Sequence, residues 1–128
     1  MNVTRCDEAP EYFPPHHHDM RCVRLQGHEA GPSVQLWLGV STLAPNGHTT
    51  LDASPTEKHY VVLEGEVTVT SVAHGQRQEA TLRRHDSCRI APGEQRQLFN
   101  HTDRPALVLL AMPLAPPSVA ATSGLPAI

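Results

Sequence analysis

Histidine and lysine carry most of the chemistry available to this sequence. Nine histidines in 128 residues is a high count, and a neutral imidazole is a ready ligand for zinc or nickel. His28, His48, His59, His85 and His101 leave a metal site from non-standard ligands open, although lone histidines are mostly surface residues or hydrogen-bonded core residues. The run "HHH" at 16–18 attracts metal in solution. Three adjacent residues in an extended arm point in different directions, so scavenging is expected there rather than a built site. His74 falls at a hairpin tip, where solvent exposure is explanation enough. Lys58 differs from all of these. It opens the alternating run "KHYVVLE" (58–64), sharing one face with Tyr60 and Val62 while His59, Val61 and Leu63 take the other. Cys6, Cys22 and Cys88 are odd in number and scattered, with no C-x-x-C spacing. Neither a disulfide framework nor a zinc knuckle is expected from them, and Cys88 reads as a small buried hydrophobe.

Composition narrows the class of protein. Apolar residues make up 39% of the chain, enough for one domain with a real core. The formal net charge of -3, with no basic stripe interleaved with aromatics, gives no case for nucleic acid or an anionic membrane. The start "MNVTRCDEAPEYF" lacks a basic-then-apolar leader, and no apolar run reaches membrane-spanning length. With unpaired cysteines, a cytoplasmic location is expected.

Short strands must position the reactive residues. After a Pro-, His- and charge-rich arm (1–20), expected to be irregular, the runs "RCVRL" (21–25) and "VQLWLGVSTL" (34–43) read as strands. Val34, Leu36, Leu38 and Val40 share one face of the second run. Trp37 lies on the other, more polar face, where it either packs in the core or lines a pocket mouth. "PNG" (45–47) is expected to turn the chain and "TTLDAS" (49–54) to be extended. "KHYVVLE" and "EVTVTSV" (66–72) hinge on Gly65, and "RQEATLR" (77–83), "SCRIA" (87–91) and "RQLFN" (96–100) follow. "PALVLLAMP" (105–113) is apolar throughout, so both its faces need cover. The Pro/Ala/Ser-rich tail (114–128) is expected to be irregular. Eight or nine strands with turns every eight to twelve residues indicate an all-β sandwich or barrel.

The order of these pieces resembles the cupin family of double-stranded β-helix (jelly-roll) barrels. Its first motif reads G-x5-H-x-H-x3-E-x6-G and its second G-x5-P-x-G-x2-H-x3-N. Gly65 matches the last glycine of the first, while Asp86, Gly93 and Asn100 fall on positions of the second. Ala91-Pro92 stands for Pro-x, and His85 replaces the usual glycine before the aspartate. The resemblance implies a cupin barrel over 21–113 and a homodimer through an outward sheet face. Carried onto this chain, the two histidine positions of motif one fall on Asp52 and Ser54, its glutamate on Lys58, and the motif-two histidine on Arg96. Slipping the register by one residue restores no histidine. No usual cupin metal is therefore expected, and no other cofactor.

With these four residues converging, the formal charge of the site moves from about minus one to about plus one. Such a site repels a divalent cation and attracts a small organic acid, which the arginine fork and the lysine charge both suit. Arg96, Ser54, Tyr60 and Trp37 are the candidate ligand-binding residues, and Lys58 and Asp52 the candidate catalytic ones. A lysine in an apolar barrel beside another cation loses pKa, and its free amine is a base or Schiff-base nucleophile. A nearby Asp52 opposes that shift. Four outcomes stay open at this level. Lys58 and Asp52 form a buried ion pair in a structural cupin; the pocket binds an acid without turnover; Lys58 serves a lyase, decarboxylase or isomerase; or other histidines hold a metal.

Overall fold

The computed structural model describes residues 1–114 of the chain, so the expected irregular tail lies, but for Leu114, outside the described residues. Ten strands form: β1 (Glu11–Tyr12), β2 (His17–Gln26), β3 (Leu36–Thr49), β4 (Asp52–Ala53) and β5 (Lys58–Glu64). Then come β6 (Glu66–Ala73), β7 (Gln76–Arg83), β8 (Ser87–Ile90), β9 (Gln95–Phe99) and β10 (Ala106–Pro113). They pair antiparallel in the order β7-β6-β9-β3-β10-β5-β8, with β2 laid on β3 and β4 on β9. The result is a nearly closed jelly-roll barrel. Besides the strands there are two single turns of 3₁₀ helix, Cys6–Glu8 and His28–Ala30. No helix of the described residues is long and apolar enough to cross a membrane.

Alternation explains the core. On β5, Tyr60 and Val62 are buried inward with Lys58 on the same parity, and His59 is exposed. They join Leu43, Val67, Val69, Leu98, Ala106 and Val108 in one interior cluster. The apolar β10 lies between β3 and β5, which covers both its edges. On its outer side Leu109, with Leu25 and Leu63, packs partly against Ala9, Val23 and Val40.

The arm therefore does not run irregular through 1–20. Part of it forms β1 and the start of β2, and Ala9 covers the chain's own outer sheet face. The reason lies in β3, which is fourteen residues long. Its far end offers backbone partners, so His17 pairs with Thr49 and His18 with His48. Backbone pairing leaves no trace in hydrophobic periodicity. "PNG" is likewise not a reverse turn. β3 passes straight through it, with Asn46 at φ 67 and a break in the β2–β3 register between His18 and Met20. The left-handed residue makes a bulge, and a Cβ on Gly47 would meet the Asp19 carbonyl oxygen at 2.5 Å, so only glycine fits.

Turn chemistry holds the second half together. Asp86 accepts from the Arg83 backbone N–H at 2.9 Å. Buried Asn100 donates to the carbonyls of Leu43 (3.0 Å) and Arg104 (2.7 Å) and accepts from the Thr102 N–H (2.9 Å). His85 sits at φ 73, left-handed backbone that a side chain adopts at a cost. His85→Gly is expected to stabilise the fold by about 1 kcal/mol, the relief of that conformation less glycine's own entropy. A urea melt measures this, and no change in midpoint means the turn is already relaxed.

Candidate functional site

Lys58 and Arg96 reach one space from strands that are not neighbours in the sheet. Lys58 opens β5, opposite Ile90 of β8. Arg96 lies in β9 between Asp52 of β4 and Ser71 of β6. Only 7% of Arg96 is exposed. Its Nε donates to the Tyr60 hydroxyl at 2.8 Å and its Nη1 to Thr49 Oγ1 at 3.5 Å. Both partners are neutral. Among the described residues, no ion pair includes Arg96 or Lys58. A guanidinium taken out of water without a counter-ion keeps most of its desolvation cost.

Two compartments meet at this pair of cations. The inner one is a cavity of about 320 Å³ walled by Tyr12, Phe13, Trp37 and Tyr60 together with Met20, Leu98, Leu110 and Met112. The outer one, about 410 Å³, is lined by His16, Asp52, Ala53 and Ser54. Pro14, Pro15, His17, Lys58 and Arg96 belong to both. Gly39 makes room for the inner wall, since a Cβ there would lie 2.5 Å from the Trp37 ring. Trp37 is 1% exposed and packs edge-on against Tyr12, with centroids 5.4 Å apart. It is thus both a core residue and a cavity wall.

Electrostatics follow from burial. Desolvation, and then the charge of Arg96, bring the Lys58 ammonium down from 10.5 to about 8. Asp52 does not oppose this shift. It is exposed on the two-residue β4, takes a hydrogen bond from the Thr50 hydroxyl, and forms no pair with Lys58. The buried Lys58–Asp52 ion pair is therefore absent, because solvent and Thr50 satisfy the carboxylate at the rim. Burial also holds the His17 imidazole below its ordinary 6.5, against the Pro15 carbonyl that accepts its proton. Tyr60 is raised by burial despite the Arg96 beside it.

Of the residues selected from sequence, Trp37, Lys58, Tyr60 and Arg96 line the inner cavity, and Asp52 and Ser54 join the two cations in the outer recess. Sequence reasoning missed Tyr12, Phe13 and His17, brought in by the folded-back arm, and Arg24 of β2. The usable signal was the Tyr12 of "YFPP", an aromatic held by two rigid prolines, while Phe13 beside it stays exposed. The histidines considered for metal do not converge. His18, His48, Phe99 and His101 stack in a surface ladder with centroids 4.1 to 5.0 Å apart. His59 lies beside Glu57, and His85 is in a turn. Among the described residues no three His, Cys, Asp or Glu side chains are grouped to hold a metal ion.

Residues 39–112 match the family model described as the Cupin_2 cupin domain. The chain belongs to the cupin family. Among its relatives is the beta-D-galactosidase Rv1717 of Mycobacterium tuberculosis, 41% identical over 114 residues, covering 88% of this chain and 93% of that protein. Two solved cupin-like structures share the fold. The polyketide cyclase RemF from Streptomyces resistomycificus is 18% identical with a TM-score of 0.75, the match covering 91% of this cupin and 82% of the cyclase. The Drosophila melanogaster CENP-C cupin domain is 19% identical with a TM-score of 0.67, covering 88% and 80%. At that identity they establish architecture alone, and one architecture hosts many activities. In this cupin the donors at Asp52, Ser54, Lys58 and Arg96 are one carboxylate, one hydroxyl and two cations. That set does not fit a divalent metal, which needs several anionic or neutral donors together.

Proposed function

We propose that this cupin binds a small organic acid between Lys58 and Arg96, without the usual cupin metal. One observation carries the proposal: a buried arginine with neutral partners only, and a second unpaired cation in the same cavity. An acid supplies the missing counter-ion, taking parallel bonds from the guanidinium and a third from the ammonium. Calorimetric titration with small carboxylic acids and their amides tests it. The acids are expected to bind about tenfold or more tighter, the worth of a charge-assisted hydrogen bond. Amides binding as tightly would sink the proposal.

Lys58 extends the proposal to catalysis as a metal-independent lyase, decarboxylase or isomerase. An oxo-acid held by Arg96 presents its carbonyl to the amine, which condenses with loss of water to an imine that accepts electrons from a breaking bond. Lys58 is the only lysine in the chain, so borohydride trapping with a candidate oxo-acid reports on one side chain and the N-terminus. No adduct at Lys58 across a panel of oxo-acids leaves an acid-binding module without turnover.

A second reading rests on the 41% identity with a protein named a beta-D-galactosidase. Most glycoside hydrolysis needs two carboxylates flanking the bond. Here no Asp or Glu lines the inner cavity, and Asp52 alone lines the outer recess. Release of nitrophenol from a β-galactoside, lost in Asp52→Asn, would favour that reading over acid binding. Three free thiols support a reducing, cytoplasmic setting. Leu25, Leu63 and Leu109 stay only partly covered beneath Ala9, which supports a second copy of the chain over that face as a homodimer.

A further inference from the structure

The two compartments that meet at Lys58 and Arg96 differ in chemistry, and the difference specifies the ligand's body. Much of the inner wall is apolar: Trp37, Leu98, Leu110 and Met112 present no hydrogen-bonding group other than the indole N–H, while Phe13, 85% exposed, borders the mouth. Most polar groups beside them are already engaged, although the buried Arg24 Nε has no partner and His28 also borders the cavity. The Tyr60 hydroxyl accepts from Arg96 at 2.8 Å, the Ser41 hydroxyl donates to Cys22 Sγ at 3.3 Å, and the Arg24 guanidinium pairs with Glu29 while stacking 4.4 Å from the Tyr12 ring centroid. A sugar ring in that cavity leaves several hydroxyls without partners, each at a desolvation cost. A flat apolar ring leaves none, and offset or edge contacts with the part-exposed Tyr12, backed by the buried Trp37, favour it. The volume of about 320 Å³ admits a one- or two-ring body and nothing much larger.

The outer recess shares Pro14 and Pro15 with the inner cavity but adds small polar side chains in place of aromatic ones. His16, Asp52 and Ser54 line it with no large apolar side chain, and its contents share the two cations with the inner cavity. An acid group at the junction therefore has cations on its own side and solvent-accessible polar groups behind it. We infer that the ligand is an aromatic acid, its ring held in the inner cavity against Tyr12, in front of Trp37, and its acid group at Lys58 and Arg96. This rests on the acid-binding proposal and adds the ligand's body to it.

Trp37 is the only tryptophan, so its emission reports on the inner cavity directly. Four probes are titrated into the full chain: 2-naphthoate, acetate, galacturonate and 2-naphthalenemethanol. Naphthoate is expected to shift or quench Trp37 emission saturably, binding about tenfold or more tighter than acetate or galacturonate. Met112→Phe, which fills the inner cavity, is expected to lose naphthoate's advantage over acetate. Galacturonate or acetate binding as tightly as naphthoate overturns the aromatic inference and leaves the acid site standing. Naphthalenemethanol binding as tightly as naphthoate overturns the acid site itself, and so does the failure of every acid to bind.

Discussion

Replacing Arg96 with methionine is expected to stabilise the ligand-free protein while removing most of its affinity for acids. The two effects share one cause. A buried guanidinium without a carboxylate partner carries an uncompensated desolvation cost, and an unbranched apolar side chain of similar length does not. The hydrogen bonds lost are modest. Thr49 Oγ1 still accepts from the Leu98 N–H at 3.1 Å, and the buried Tyr60 hydroxyl loses one neutral partner. A gain of about 1–3 kcal/mol is expected in a urea melt, the range seen when buried charges give way to packed apolar groups. Calorimetry should show acid affinity falling about 10- to 100-fold, the value of one or two charge-assisted hydrogen bonds. Arg96→Lys separates charge from geometry: it keeps the cation, loses the fork, and should lie between the two. If Arg96→Met instead destabilises by several kcal/mol, the arginine is a strut bracing Tyr60 and Thr49. If acid affinity survives, the counter-ion argument is wrong whatever the stability does.

The barrel was legible because alternation and turn residues write it into the chain. Tyr60 and Val62 turn inward as their parity requires, and Glu64-Gly65 reverses the chain between β5 and β6. Asp86 and Asn100 hold the turns that the motif spacing picks out. Legibility fails where backbone pairing or a ligand space decides. "HHHD" has no apolar period, yet His17 and His18 are strand because the overlong β3 offers them partners. Around the start of β3 the apolar face misleads: Val34, just before the strand, and Leu36 are exposed, while Trp37, Ser41 and Leu43 are buried inward. A serine on the interior face is tolerated there because that interior is a cavity wall. The site was legible in part for the same reason. Lys58 and Arg96 stand out as cations within strand patterns, whereas Tyr12, Phe13 and His17 reach the cavity only through a fold-back that no local pattern encodes. Asp52 was the misjudged member: it does face Arg96 across β4 and β9, but a two-residue strand at the rim leaves its carboxylate in water.

The other large effect is on pH, and it runs in opposite directions for stability and for binding. Lys58 titrates at about 8 in the folded chain against 10.5 when unfolded. Below pH 8 both states hold the proton, and the folded state bears the full cost of a desolvated charge. Between about 8 and 10.5 the unfolded chain binds more protons, so stability rises with pH, and above that window the gain is complete. Its size is at most about 3.5 kcal/mol, the span from 10.5 to about 8 at about 1.4 kcal/mol per pKa unit, and less because the partly exposed ammonium is screened by solvent. Lys58→Met removes the slope and holds the protein near its high-pH stability throughout. Acid binding runs the other way, because a bound anion favours the charged ammonium. Affinity should be greatest below pH 8 and fall by up to about tenfold per pH unit above it. Near pH 8 binding should draw a proton from solution, measurable as a calorimetric heat that changes with the buffer's ionisation enthalpy. A heat independent of buffer, together with an affinity flat from pH 7 to 9 (roughly the window about the lysine's titration), means the acid does not see Lys58. Arg96 would then hold the ligand alone, and the lysine's depressed pKa would be a by-product of burial with no part in recognition.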